Sequence, residues 1–208
     1  LLCDQFVHGV EKEDGSLERL EFRNEDKFNF AFDIVDGLAR REPDKLAMVH
    51  IANDRTERRF TFKDMKDASS QAANYFTSLG VKRGDRVMLV LKRHYQFWFA
   101  ILGLHKLGAI AIPATNQLME HDFTYRFKAA GVSAIVCTAD GDTAHQVDIA
   151  EADAGVHLTK VLVGGKREGW HDFDAEYGLF SRRYTRKDDA PCGDDPMLMF
   201  FTSGTTGY

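Results

Sequence analysis

From Ala31 onward the apolar residues Ala31, Ile34, Val35, Leu38 and Ala39 recur at helical spacing, and Pro43 ends the run just after Arg40 and Arg41. The segment therefore predicts an amphipathic first helix. Leu46 to Ala52 and Arg58 to Phe62 are short extended runs joined through Asn53-Asp54, the pattern of a β-hairpin. Thr61 and Asp64 then form a capping signature for a helix whose apolar positions are Met65, Ala68, Ala72, Tyr75, Phe76 and Leu79, with Gly80 closing it.

Beyond Gly84-Asp85 the pattern alternates. Val87 to Leu91 reads as a strand, Gln96 to Leu107 as a helix, Ala109 to Ile112 as a strand, Asp122 to Ala130 as a helix and Ala134 to Cys137 as a strand. A helix near Ala144 to Ala152 and a strand from Lys160 to Val163 continue it, and Gly108 and Gly131 supply helix stops. Such alternation predicts an α/β fold of βαβ units with a largely parallel sheet. A polar and aromatic stretch from Gly164 to Asp195 follows, then an apolar strand, Met197 to Phe201. With no repeat, low-complexity tract or linker, the whole chain reads as one incomplete α/β domain.

Composition adds mainly exclusions. Across 208 residues, 44% are hydrophobic, which suits a packed core. Scattered charges, 27 basic against 32 acidic, leave a net charge of -5 and no basic stripe for nucleic acid. The most apolar stretch, Phe97 to Pro113, is interrupted by His105 and Lys106, so no membrane span is expected. Cys3, Cys137 and Cys192 lie far apart and in no CxxC arrangement, which argues against a disulfide framework or a zinc knuckle and points to a reducing, cytoplasmic setting. Leu1-Leu2-Cys3-Asp4 has no basic region ahead of its apolar residues and predicts no leader peptide. A glycine-rich turn one residue before the last position predicts that the natural chain continues.

That turn carries the chemistry. Thr202-Ser203-Gly204-Thr205-Thr206-Gly207 places three threonines and a serine among two glycines directly after an apolar strand. Glycines let backbone N–H groups converge on phosphate oxygens, and the hydroxyls add donors. A solvated Ser/Gly/Thr loop has the same composition, but its position after a strand favours phosphate. It does not match GxxxxGK(S/T), which sets the common nucleotide-triphosphatase loop aside.

Phe200-Phe201-Thr202-Ser203-Gly204-Thr205-Thr206-Gly207 resembles the opening of the phosphate-loop signature of AMP-forming acyl-CoA synthetases, luciferases and peptide-synthetase adenylation domains. The resemblance extends upstream through Arg59-Phe60-Thr61-Phe62, Gly80-Val81-Lys82-Arg83-Gly84-Asp85-Arg86-Val87 and Ile101-Leu102-Gly103. Ile112-Pro113-Ala114-Thr115-Asn116-Gln117-Leu118, with Tyr125-Arg126-Phe127, is similar to the medium-chain acyl-CoA synthetase branch. The resemblance implies that residues 1–208 are part of the large N-terminal AMP-binding domain of an adenylate-forming enzyme. A carboxylic acid, short, medium-chain or branched, would attack the α-phosphate of Mg-ATP, giving acyl-AMP and pyrophosphate; coenzyme A would then displace AMP.

On that reading Thr202, Ser203, Gly204, Thr205, Thr206 and Gly207 hold the ATP phosphates and stabilise the leaving pyrophosphate. Gln117 either contacts coenzyme A or simply caps the loop after Pro113. The Mg2+-binding acid and the catalytic lysine would lie beyond Tyr208, so residues 1–208 alone should catalyse neither half-reaction. The rivals are another adenylating enzyme, luciferase-like or a peptide-synthetase adenylation domain, and a non-catalytic phosphate-binding module. Elsewhere His94, His105, His121 and His145 show no ligand spacing and suggest surface or packing roles. Cys137 reads as a buried small hydrophobe. The cluster Tyr95 to Phe99 suggests core over acyl pocket. Gly164-Gly165-Lys166 is open between a phosphate contact and a tight turn.

Overall fold

The computed structural model describes residues 2–202. After a short 3-10 turn, Cys3–Gln5, comes a hairpin that hydropathy does not announce, β1 (Val7–Glu11) paired antiparallel with β2 (Leu17–Phe22). Every residue of β2 is exposed, so no alternation marks it. The first predicted helix is present but opens as a π-helical turn, Phe30–Val35, before α1 (Asp36–Arg41). The wide turn shows in the Asp36 N–H, which donates to the Ala31 carbonyl. Asn29 caps it by accepting the Phe32 N–H at 3.1 Å.

β3 (Leu46–Ile51) and β4 (Glu57–Thr61) form the expected antiparallel hairpin. It feeds α2 (Phe62–Ser78) through a capping box in which the Asp64 N–H donates to Thr61 Oγ1 at 3.1 Å and the Thr61 N–H donates to Asp64 Oδ2 at 2.9 Å. There follow β5 (Arg86–Val90), α3 (Gln96–Leu107), β6 (Ile110–Pro113), α4 (Glu120–Ala130), β7 (Val132–Thr138), α5 (Thr143–Ala154) and β8 (Thr159–Val163). Within the polar stretch lie β9 (His171–Asp172) and α6 (Phe173–Glu176), which the sequence does not announce. They are held by Phe173, fully buried with its ring against Tyr75 at 5.7 Å.

The main sheet has the order β6-β5-β7-β8-β9, with every pair parallel. Its central strands are apolar on consecutive residues because both faces are covered. Val87 and Leu89 of β5 face one core with Met65, Ala72 and Phe76 of α2 and Phe99 and Leu104 of α3. Met88 and Val90 face the other, with Phe123 and Phe127 of α4 and Val147 and Ala150 of α5. The α2–α3 contact depends on Gly103, where a Cβ would come within 2.9 Å of both the Ala72 Cβ and the Ala73 backbone nitrogen.

The expected strand Met197 to Phe201 is reduced to one parallel bridge, Leu198 to Ala111 at the outer edge of β6. The Ala111 N–H donates to the Met197 carbonyl and the Met199 N–H to the Ala111 carbonyl, each at 3.0 Å. The next bond in that ladder would need an N–H from Pro113, which proline lacks.

Candidate functional site at the carboxyl edge of the sheet

Because the run through Leu198 lies parallel beside β6, the chain leaving Pro113 and the chain leaving Phe201 emerge at the same carboxyl end of the sheet. Open α/β sheets bind ligands at that end. The first exit begins with the Ala114 N–H on the Leu89 carbonyl at 2.9 Å. It continues with the Gln117 N–H on Thr115 Oγ1 at 3.3 Å, and Thr143 Oγ1 donates to the Asn116 carbonyl at 3.3 Å. Gln117 is exposed at the crest of this loop, two residues before the α4 cap at Met119. The second exit begins at Thr202, which is also exposed. Ser203, Gly204, Thr205, Thr206 and Gly207, the remaining candidates for phosphate, lie outside the described residues.

Strand order reverses between β5 and β7, and the loops there are braced internally. His94 Nε2 and Thr138 Oγ1 are 2.7 Å apart. Burial lowers the pKa of His94, with Asp140 and Asp174 opposing. The Gly164 N–H is taken by Asp174 Oδ2 at 2.9 Å, and a Cβ at Gly165 would meet the Ala139 Cβ at 2.7 Å, while Lys166 is exposed. That geometry is a tight turn with a solvated lysine.

His105 is buried in α3, whereas His121 and His145 are exposed. Cys137 is fully buried, and burial pushes its thiol up to about 12, which keeps it protonated. Of the aromatic cluster, Phe99 enters the core with Tyr95 against it, their rings 5.5 Å apart, while Trp98 stays half exposed. Among the described residues no group of three or more His, Cys, Asp or Glu side chains could hold a metal ion. No helix among them is long and apolar enough to cross a membrane.

The family model described as "AMP-binding enzyme" matches residues 35–208, from the π-helical turn through the hydroxyl-rich loop. The chain belongs to the AMP-binding enzyme family. Among curated proteins this AMP-binding chain is 35% identical over 191 residues to acyl-coenzyme A synthetase ACSM5, mitochondrial, of Rattus norvegicus, covering 86% of this chain and 32% of the relative. It is 34% identical over 190 residues to acyl-coenzyme A synthetase ACSM1, mitochondrial, of Homo sapiens, covering 88% and 32%. Among solved structures an acyl-CoA synthetase of Brucella canis superposes with a TM-score of 0.73 at 26% identity, covering 86% of this chain and 32% of that one. The anthranilate CoA ligase AuaEII, in complex with anthranoyl-AMP, shares the fold with a TM-score of 0.72 at 22% identity, covering 87% and 33%.

The chain thus spans about a third of the length of these relatives and matches their N-terminal part. The cytoplasmic setting expected from the cysteines is overturned, since these curated relatives are mitochondrial proteins. Unpaired thiols fit any reducing compartment and do not separate one from another.

Proposed function

We propose that residues 1–208 form part of the large N-terminal domain of a mitochondrial, AMP-forming acyl-CoA synthetase acting on a short, medium-chain or branched carboxylic acid. The observation that carries this reading is the exit of Thr202, first residue of the hydroxyl-rich loop, at the same carboxyl end of the parallel sheet as the Gln117 loop. On this reading ATP and coenzyme A are substrates approaching the same edge. The hydroxyls of Thr202, Ser203, Thr205 and Thr206 orient the β- and γ-phosphates and take up charge on the departing pyrophosphate, while Gly204 and Gly207 keep the backbone close. Mg2+ bound with ATP would neutralise phosphate charge. Gln117, exposed on the loop that follows β6, is assigned to coenzyme A.

The test is ATP–pyrophosphate exchange by the full-length protein against a panel of carboxylic acids, followed by product analysis with coenzyme A. Acid-dependent exchange and acyl-CoA are expected. If acyl-AMP forms but coenzyme A never accelerates its consumption, the acceptor is something else, such as a carrier-protein arm. Thr205→Val should slow exchange by removing one donor to a charged oxygen, a cost of about 1–3 kcal/mol. Thioester formation from supplied acyl-AMP should be spared, and an equal loss in both half-reactions would overturn the assignment of the loop.

A further inference from the structure

The run that leads into the hydroxyl-rich loop loses its hold on the sheet early. Among the described residues its last ladder bond is the Met199 N–H on the Ala111 carbonyl, and Pro113 offers no donor for another. Leu198 packs on the core shared with α2 and α3, Met199 and Phe201 pack on the core shared with α4 and α5, and Phe200 is exposed. Phe201 is therefore the last anchored side chain before Thr202, and what anchors it decides where the loop begins.

Two consecutive residues of α4 hold that ring. The Arg126 guanidinium carbon lies 5.1 Å from the centroid of Phe201, and the Tyr125 ring meets it edge-on at 6.1 Å and 71°. The guanidinium is itself fixed one helical turn back, where Nη1 donates to the Asp122 carbonyl at 3.1 Å and to Asp122 Oδ1 at 3.3 Å. Asp122 in turn accepts the Met119 N–H at 3.2 Å through its other carboxylate oxygen, closing the α4 cap. A continuous line of contacts runs from the cap just after Gln117 to the ring just before Thr202.

We propose that Arg126 is a positioning residue for adenylation: pinned by Asp122 and lying on Phe201, it sets the direction in which the backbone enters the ATP-phosphate loop. This rests on the synthetase reading above. The Gln117 loop leads into the start of the same helix, so Arg126 lies between that loop and the run into Thr202. A cation on a partly desolvated aromatic face is worth enough to change a rate about fivefold when its work is orientation.

The experiment measures both half-reactions of the full-length enzyme separately, by ATP–pyrophosphate exchange and by thioester formation from synthetic acyl-AMP and coenzyme A. Arg126→Ala should lower kcat/KM for ATP in exchange about fivefold or more and leave the thioester step within about twofold. Arg126→Lys should recover most of the loss, since an ammonium also sits on an aromatic face. Phe201→Leu should reproduce the loss, and the double variant should be no worse than either alone. Equal losses in both half-reactions, or no loss in either, would overturn the positioning role. A wild-type protein that exchanges pyrophosphate with no acid would instead sink the synthetase reading itself.

Discussion

His105, which the sequence suggests only as a surface or packing residue, is 9% exposed, and its Nε2 accepts the Phe30 N–H at 3.1 Å. Burial disfavours its imidazolium, with Asp33 opposing more weakly, and its pKa is pushed down to about 4. A proton on Nε2 would also confront the Phe30 N–H and break that bond. The unfolded chain takes up this proton near the ordinary value of about 6.5, whereas the folded chain holds it off until much lower pH. The stabilisation is therefore fully present above about pH 6.5 and is lost as pH falls toward 4, by on the order of 3 kcal/mol. His105→Gln keeps an acceptor for the N–H and does not titrate. Between pH 6.5 and 4 the wild-type urea midpoint should fall more steeply than the variant's, and parallel curves would show that His105 does not govern the loss.

At the scale of elements, α3 is tied to the first helix by a buried ion pair between Lys106 Nζ and Asp36 Oδ1 at 2.9 Å, with Ser70 Oγ at 3.0 Å from the same nitrogen. Burial is the largest influence on each partner, lowering the pKa of Lys106 and raising that of Asp36 against the pull of the pair. Lys106→Met alone strands a buried carboxylate and should cost about 3–5 kcal/mol, while Lys106→Met with Asp36→Leu should recover most of it. Urea unfolding of the full cycle checks this, and additive losses would mean the two groups are not coupled. The elements themselves were legible where one local rule decided them: the Thr61–Asp64 capping box, Gly108 after α3, the apolar run of β5. Elements decided by distant partners were not. The π-helical turn hangs on Asn29, whose Nδ2 donates to the Pro191 carbonyl at 2.9 Å and the His105 carbonyl at 3.3 Å. The last strand shrank because of a proline in its neighbour. The loop's word order pointed to phosphate, but nothing local links Arg126 to Phe201.

Over the whole molecule, the two faces of the sheet are finished unequally. Around Phe123, Phe127 and Val147 the second face is closed by α4 and α5. The first face keeps an apolar groove of about 450 Å³, lined by Phe30, Met48, Phe62, Trp98, Met197 and Leu198. Trp98 stands 51% and Phe30 46% exposed along it, and Phe200, on the run that among the described residues bridges β6 once, is 62% exposed. Exposed apolar surface near the edge of a sheet invites self-association, because water gains by its removal and a sheet edge can pair with another chain. The 208-residue chain expressed by itself should therefore bind a hydrophobic dye under native conditions and associate as its concentration rises. Trp98→Gln should weaken both effects, since this half-exposed ring can be replaced with little loss to the core. Sedimentation and dye fluorescence across a concentration series check the expectation. A chain that stays monomeric, leaves the dye dark and melts in one sharp transition would show that the groove is closed in solution.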